Sequence, residues 1–184
     1  MKQYNPAIHH RRSIRLKGYD YSQEGLYFVT ICTQNRKHLF GEIKNIPPVN
    51  PVGAGSTCPE SESNIPQMIL NPHGKIIQQC YWDLERKYPN IECGEYVIMP
   101  NHFHAIIKIN RDALGEGGPL PYVVTLGHVV GYFKYQSTKM INLHGQKLWQ
   151  RNYYEHIIRD EKAYHNISNY ILNNPAQWAH DKLR

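Results

Sequence analysis

No apolar run in this 184-residue chain approaches the ~20 residues that a membrane-spanning helix needs, so no membrane partner is expected. The start, Met1-Lys-Gln-Tyr-Asn-Pro, lacks the apolar core of a secretory signal, and the expected location is cytoplasmic. Cysteine is scarce and scattered: Cys32, Cys58, Cys80 and Cys93 show no C-x-x-C spacing, which argues against a zinc ribbon and gives no sign of a disulfide framework. No internal repeat is visible. What remains is an ordinary globular composition, 41% hydrophobic and 20% charged, long enough for one domain over 1–184 with a real core.

Charge is less ordinary. Lys and Arg number 21 against 15 Asp and Glu, giving +6 and a pI near 9.1, a balance that suits a polyanionic partner. The excess concentrates in an N-terminal arm, 1–24, where His9-His-Arg-Arg-Ser-Ile-Arg-Leu-Lys17 carries Arg11, Arg12, Arg15 and Lys17. Such an arm either follows a phosphate backbone or is a solvated tail. Fourteen tyrosines add stacking surfaces for exposed bases, alongside their usual use in cores.

Along the chain, 25–33 is rich in β-branched and aromatic residues and predicts a strand. The Pro-, Gly- and Ser-rich stretch 44–67 has no periodicity and is expected to be a loop insertion. After Asn71-Pro72, Ile76, Ile77, Cys80, Tyr81 and Leu84 recur at helical spacing up to Tyr88-Pro89. Two strands, 91–99 and 102–109, flank a Pro100-Asn101 turn and pair as a hairpin. A second helix is expected over 123–143, carrying Lys134 and Lys139 among tyrosines in a pattern that fits either a DNA contact or a solvated face. A short strand within 149–159 follows, then a helix from the Asp160 cap to Asn174, stopped by Pro175. This order implies an α+β protein: an antiparallel sheet with helices packed on one face.

The chemistry gathers in two places. His102 and His104 stand at i and i+2 of a strand, so both imidazoles share one face, with Phe103 on the other. Glu95 and Asn101 flank them and are candidates to orient the rings. Tyr170 and Asn174 stand at i and i+4 of the last helix, one turn apart on one face, while Ile167 and Ile171 form a neighbouring apolar stripe with Tyr164. Two imidazoles and an amide oxygen make a three-ligand site suited to Mg²⁺ or Mn²⁺, with positions left for a phosphate oxygen and water. A tyrosine attacking a phosphodiester beside such an ion gives a covalent phosphotyrosyl intermediate, which conserves the bond energy for rejoining. Taken singly each residue has a plainer role: Tyr170 as a helix-face aromatic, Asn174 as a C-cap, one histidine in the core. Tyr153 and Tyr154 are the rival nucleophiles, without an amide at i+4.

In order and spacing, Val97-Ile-Met-Pro-Asn-His-Phe-His104, Trp149-Gln-Arg-Asn-Tyr-Tyr-Glu-His-Ile-Ile-Arg159 and Tyr170-Ile-Leu-Asn-Asn174 resemble the single-tyrosine HUH transposases of small insertion sequences, and most of all the REP-associated tyrosine transposases. The resemblance covers roughly 26–40 and 70–180, leaving the 44–67 insertion and the details of the arm outside it. It implies a ferredoxin-like or RRM-like sheet, with Tyr170 as nucleophile and His102, His104 and Asn174 as metal ligands. It further implies DNA as partner, single-stranded and folded into hairpins at palindromic repeats, cut and rejoined by a monomer or a homodimer. Two other classes fit some of the same residues: a non-catalytic single-stranded nucleic-acid-binding module, and a metal-dependent hydrolase that uses water.

Overall fold

The computed structural model describes residues 16, 18–47, 64–110 and 123–184. Arg11, Arg12, Arg15, Lys17 and Cys58 lie outside the described residues.

Four strands form the main sheet: β1 (Gly25–Cys32), β4 (Ile91–Met99), β5 (His102–Ile109) and β6 (Tyr154–Ile158), in the order β4-β5-β1-β6 with every neighbour antiparallel. Counted along the chain, the first and third strands of this sheet are central and the second and fourth form its edges, which is the ferredoxin-like arrangement. Side chains alternate across this sheet. Tyr27, Val29 and Ile31 of β1 and Phe103, Ala105 and Ile107 of β5 face one side, where they bury against helices α1 (Pro72–Lys87) and α2 (Leu126–Ile141).

Both helices are punctuated by their sequence. Asn71 accepts the Gly74 N–H ahead of Pro72, whose missing donor costs nothing at a first helical position. Thr125 caps α2 by accepting from His128, and Asn142 closes it in the left-handed conformation. The apolar stripe Ile77, Cys80, Tyr81 and Leu84 is buried as its spacing predicts.

The opposite face carries Leu26, Phe28 and Thr30 of β1 and His102, His104 and Ile106 of β5. Helix α3 (Glu161–Gln177) crosses it, with Ile171 wholly buried among Phe28, Ile106 and Ile158 and with Tyr164 and Ile167 packed at the edge. The sheet therefore has helices on both sides, two on the core face and the tyrosine-bearing one on the other.

Three expectations need correction. Helices are expected on one face of the sheet, whereas α3 covers the second face, because Ile171 and its neighbours give that helix an apolar stripe of its own. The stretch 44–67 is not simply loop: β2 (Gly41–Ile46) and β3 (Ile65–Leu70) pair in register from Gly41↔Leu70 to Ile46↔Ile65 as a separate ribbon. Neither strand has a fully buried residue, so the apolar alternation that marks a core strand is weak there. Helix α3 also runs past Pro175 to Gln177. Proline removes one hydrogen bond in the last turn, and Trp178, packed beside His38 and His102, holds the continuing chain against the sheet.

Candidate active site

The hairpin between β4 and β5 sets the histidines. With Met99 opposite His102, Pro100-Asn101 turns the chain and leaves both imidazoles on the α3 side, 0% and 2% exposed, with ring centroids 4.5 Å apart. Phe103, between them, packs on the other side against Tyr81 and Phe133. The scaffold is therefore rigid.

Each ring is fixed through Nδ1. The register of β1 against β5 places Thr30 opposite His104, and Thr30 Oγ1 lies 2.7 Å from His104 Nδ1. Asn101 does the same for its neighbour. Its amide nitrogen donates to Leu183 O at 2.7 Å and to Arg36 O at 3.4 Å, so its oxygen is the atom that faces His102 Nδ1 at 2.8 Å. Because that oxygen only accepts, His102 Nδ1 carries the proton, and Nε2 presents its lone pair to the site. Glu95, the other flanking candidate, instead accepts from the Tyr164 hydroxyl at 2.7 Å.

Helix α3 delivers the rest. Tyr170 Oη lies 3.2 Å from His104 Nε2, with Phe28 edge-on to the tyrosine and stacked on the histidine. Asn174 is 3% exposed inside the helix, not a cap, and its amide interacts with both Tyr170 and His102. These residues line a cleft of about 740 Å³ together with Thr30, Tyr154, Gln177 and the turn at 180–183. Of the rival tyrosines, Tyr154 is an exposed strand residue at the cleft wall and Tyr153 stacks against the Lys134 ammonium. His156 and His165 are exposed and lie outside the cleft.

That turn went unrecognised in the sequence. Asp181, seven residues beyond Asn174, brings Oδ2 to 3.5 Å from His102 Nε2. Nothing in the spacing marks it, because its approach depends on α3 continuing through Pro175. Thr30 was missed for a related reason: its partner is chosen by strand register.

Electrostatics favour neutral rings. Burial pulls the His102 imidazole down to about 4, Asp181 opposing, and burial holds His104 well below its ordinary value. Burial raises the Tyr170 phenol, while Asn174 counteracts it, so the resting side chain is protonated. Among the described residues no three His, Cys, Asp or Glu side chains are already disposed around a common point as metal ligands are, so a cation here draws on the Asn174 amide. The site fits one: His102 Nε2, Asn174 Oδ1 and Asp181 Oδ2 are buried acceptors with no donor aimed at them.

The basic residues divide. Lys134 Nζ donates to the carbonyls of Gln150, Arg151 and Asn152 at 2.9, 3.3 and 3.1 Å, tying α2 to the approach to β6. Lys139 is exposed and shares a shallow groove of about 430 Å³ with Tyr135, Lys147 and Arg151.

The fold is a ferredoxin-like α+β sheet that presents a histidine pair to a tyrosine helix. No family model matches the chain. An uncharacterized protein of Haemophilus influenzae is 41% identical over 194 residues, spanning 98% of this chain and 96% of that protein. A second protein of that organism, described as a "putative REP-associated tyrosine transposase", is 25% identical over 166 residues, 86% of this chain and 74% of its own. Among solved structures, a REP-associated tyrosine transposase bound to a REP hairpin superposes with a TM-score of 0.58 at 18% identity, over 94% of this chain and 77% of that one. The chain is thus similar in sequence to one REP-associated tyrosine transposase and shares the fold of another. Among the described residues no helix is long and apolar enough to cross a membrane.

Proposed function

We propose that this protein is a transposase that cleaves and rejoins single-stranded DNA beside hairpins formed by palindromic repeats, through a covalent bond between Tyr170 and a 5′ phosphate. The observation that carries this reading is the meeting of the Tyr170 hydroxyl with His104 Nε2 at 3.2 Å in a cleft also lined by Asn174. His102, His104 and Asn174 would hold a Mg²⁺ or Mn²⁺ ion, which when bound acts as a Lewis acid toward the scissile phosphate.

The chain's own residues supply position and nucleophile. His104 Nε2 can serve the phenol or a cation, not both, so in the loaded site Asn174 is the neighbour that steers Tyr170. As the Tyr170 oxygen bonds to phosphorus it loses its proton; the phosphorus–3′ oxygen bond breaks, and the departing 3′ oxygen gains one. Attack by another 3′ hydroxyl reverses these steps and joins a new strand. Tyr154, exposed at the cleft wall, offers a ring on which an unpaired base can stack. The related transposase solved with a REP hairpin supports a hairpin as the DNA, and the Lys139, Lys147 and Arg151 groove offers a path for its backbone. Tyr170 and His104 belong to one chain, so a complete site can form in a single copy.

The test is denaturing electrophoresis of the protein after incubation with a labelled hairpin oligonucleotide bearing a single-stranded flank, with Mg²⁺ or Mn²⁺. The expected result is a covalent adduct that Tyr170→Phe abolishes and Tyr154→Phe retains. Cleavage without adduct would identify a water-using hydrolase, and binding without cleavage a recognition module. Adduct formation by Tyr170→Phe would assign the nucleophile elsewhere.

A further inference from the structure

We infer that Asp181 is a further ligand to the divalent cation, contributed by the turn that follows α3. The inference rests on the metal-assisted reading above and adds a residue, and a negative charge, to the neutral set His102, His104 and Asn174.

The argument is one of unmatched acceptors. Asp181 is 8% exposed at its side chain. Its Oδ1 accepts the Leu183 N–H at 2.7 Å, whereas Oδ2 is buried with no hydrogen-bond partner. The atom it faces, His102 Nε2, is an acceptor too, since Asn101 keeps the ring proton on Nδ1. Asn174 Oδ1 is a third buried acceptor without a donor, its amide within reach of His102. Buried oxygen and nitrogen lone pairs left facing one another are costly, and what reconciles them is a positive centre between them.

No side-chain cation fills that role. Among the described residues Asp181 has no ion pair with a lysine or an arginine: Arg36 donates to the Lys182 carbonyl at 2.6 Å, and Arg184 lies over the Trp178 ring. The spacing fits an ion instead. Two donors each about 2.1 Å from a shared ion stand roughly 3.0–3.4 Å apart at octahedral to tetrahedral angles, close to the 3.5 Å between Asp181 Oδ2 and His102 Nε2. A carboxylate is also the donor that hard cations such as Mg²⁺ and Mn²⁺ favour.

The carboxylate is held in place. Asn101 contacts both partners, its oxygen fixing His102 and its nitrogen gripping Leu183 two residues beyond Asp181. Arg36 grips the intervening Lys182. One asparagine thus couples the orientation of an imidazole to the position of a carboxylate that no element of the sheet carries.

The test is titration of the full chain with Mn²⁺, followed by electron paramagnetic resonance and by water-proton relaxation, for wild type, Asp181→Asn, Asp181→Ala and His102→Ala. Asp181→Ala should weaken Mn²⁺ binding by at least the 10- to 100-fold typical of losing an outer partner of a ligand. Relaxation per bound ion should rise, because water takes the vacated position. Without metal, Asp181→Asn should melt no lower than wild type, since it keeps the Leu183 acceptor and removes an unpaired charge; it also serves if the alanine variant does not fold. Unchanged Mn²⁺ affinity in both Asp181 variants overturns the inference, as does unaltered affinity in His102→Ala, which would place the ion elsewhere. Greater activity at unchanged Mn²⁺ affinity overturns it as well, making Asp181 a shield of the cleft. Because the Tyr170 adduct is assayed separately, an adduct formed with Asp181 irrelevant to Mn²⁺ leaves the proposed function standing, whereas absence of adduct from wild type defeats that function directly.

Discussion

The hydroxyl of Tyr170 and Nε2 of His104 lie 3.2 Å apart although 66 positions separate them in the chain. Two contacts produce that closeness. Thr30 holds His104 by Nδ1 from the neighbouring strand, and Ile171, next to Tyr170, anchors α3 to the sheet. The helix contributes a phenol and an amide; the hairpin contributes rings that burial keeps neutral.

Thr30→Val tests the first contact. Valine keeps the β-branched shape and strand preference but removes the oxygen 2.7 Å from His104 Nδ1. The rate of covalent adduct formation should fall about 10- to 100-fold, with His104 free to tilt. Denaturant unfolding should show a loss of about 1–3 kcal/mol for the buried ring nitrogen left unpaired. An adduct rate equal to wild type would remove Thr30 from the site.

Ile171→Ala tests the second. Ile171 is 0% exposed, and truncating a buried isoleucine costs about 2–5 kcal/mol, a loss readable by urea titration. Because the cluster with Phe28, Ile106 and Ile158 is small, most of that loss falls on the docking of α3. Adduct formation should therefore fall below detection while circular dichroism still reports a folded protein.

Replacing Lys139, Lys147 and Arg151 together by alanine addresses the groove beside α2. Hairpin affinity should weaken, and the slope of log K against log salt should shrink by about 2–3, three contacts at ~0.7–0.9 each. Cleavage of saturating DNA should stay intact. Lys134→Met, by contrast, should lower stability by about 1–3 kcal/mol through three undonated carbonyls and leave the salt slope unchanged. Fluorescence anisotropy at several salt concentrations separates the two.

Stability should decline in alkali through Cys80. Burial pushes its thiol up to about 11, above the ~8.5 of an unfolded chain, so the folded state keeps its proton where the unfolded state has lost it. The contribution is complete below about pH 8.5 and is lost as pH rises toward 11, at up to ~1.4 kcal/mol per pH unit. Cys80→Ala should flatten that part of the stability curve, measured by denaturation across pH 8 to 11.

Much of the frame is legible in single stretches. The hairpin strands begin and end where the apolar runs on either side of Pro100-Asn101 predict, because burial selects those residues, on both faces in β5. Helix α1 follows its apolar stripe between Asn71 and Tyr88 for the same reason. Strands β2 and β3 were missed because neither has a fully buried residue, and their order comes from pairing with each other. The basic pattern of α2 suggested one duty for Lys134 and Lys139, but carbonyls from a distant segment occupy the first and not the second.

The candidate site divides along the same line. Residue type and spacing alone placed His102 with His104 on one strand face and Tyr170 with Asn174 on one helix face, since strand and helix periods are local properties of the backbone. Only tertiary structure decided what these faces meet. Strand register chose Thr30 for His104, packing of α3 set the Tyr170 hydroxyl against His104, and continuation of the helix through Pro175 brought Asp181 to His102. Those relations depend on long-range contacts and on buried polar atoms that must find partners, and neither is encoded within any short window of the chain.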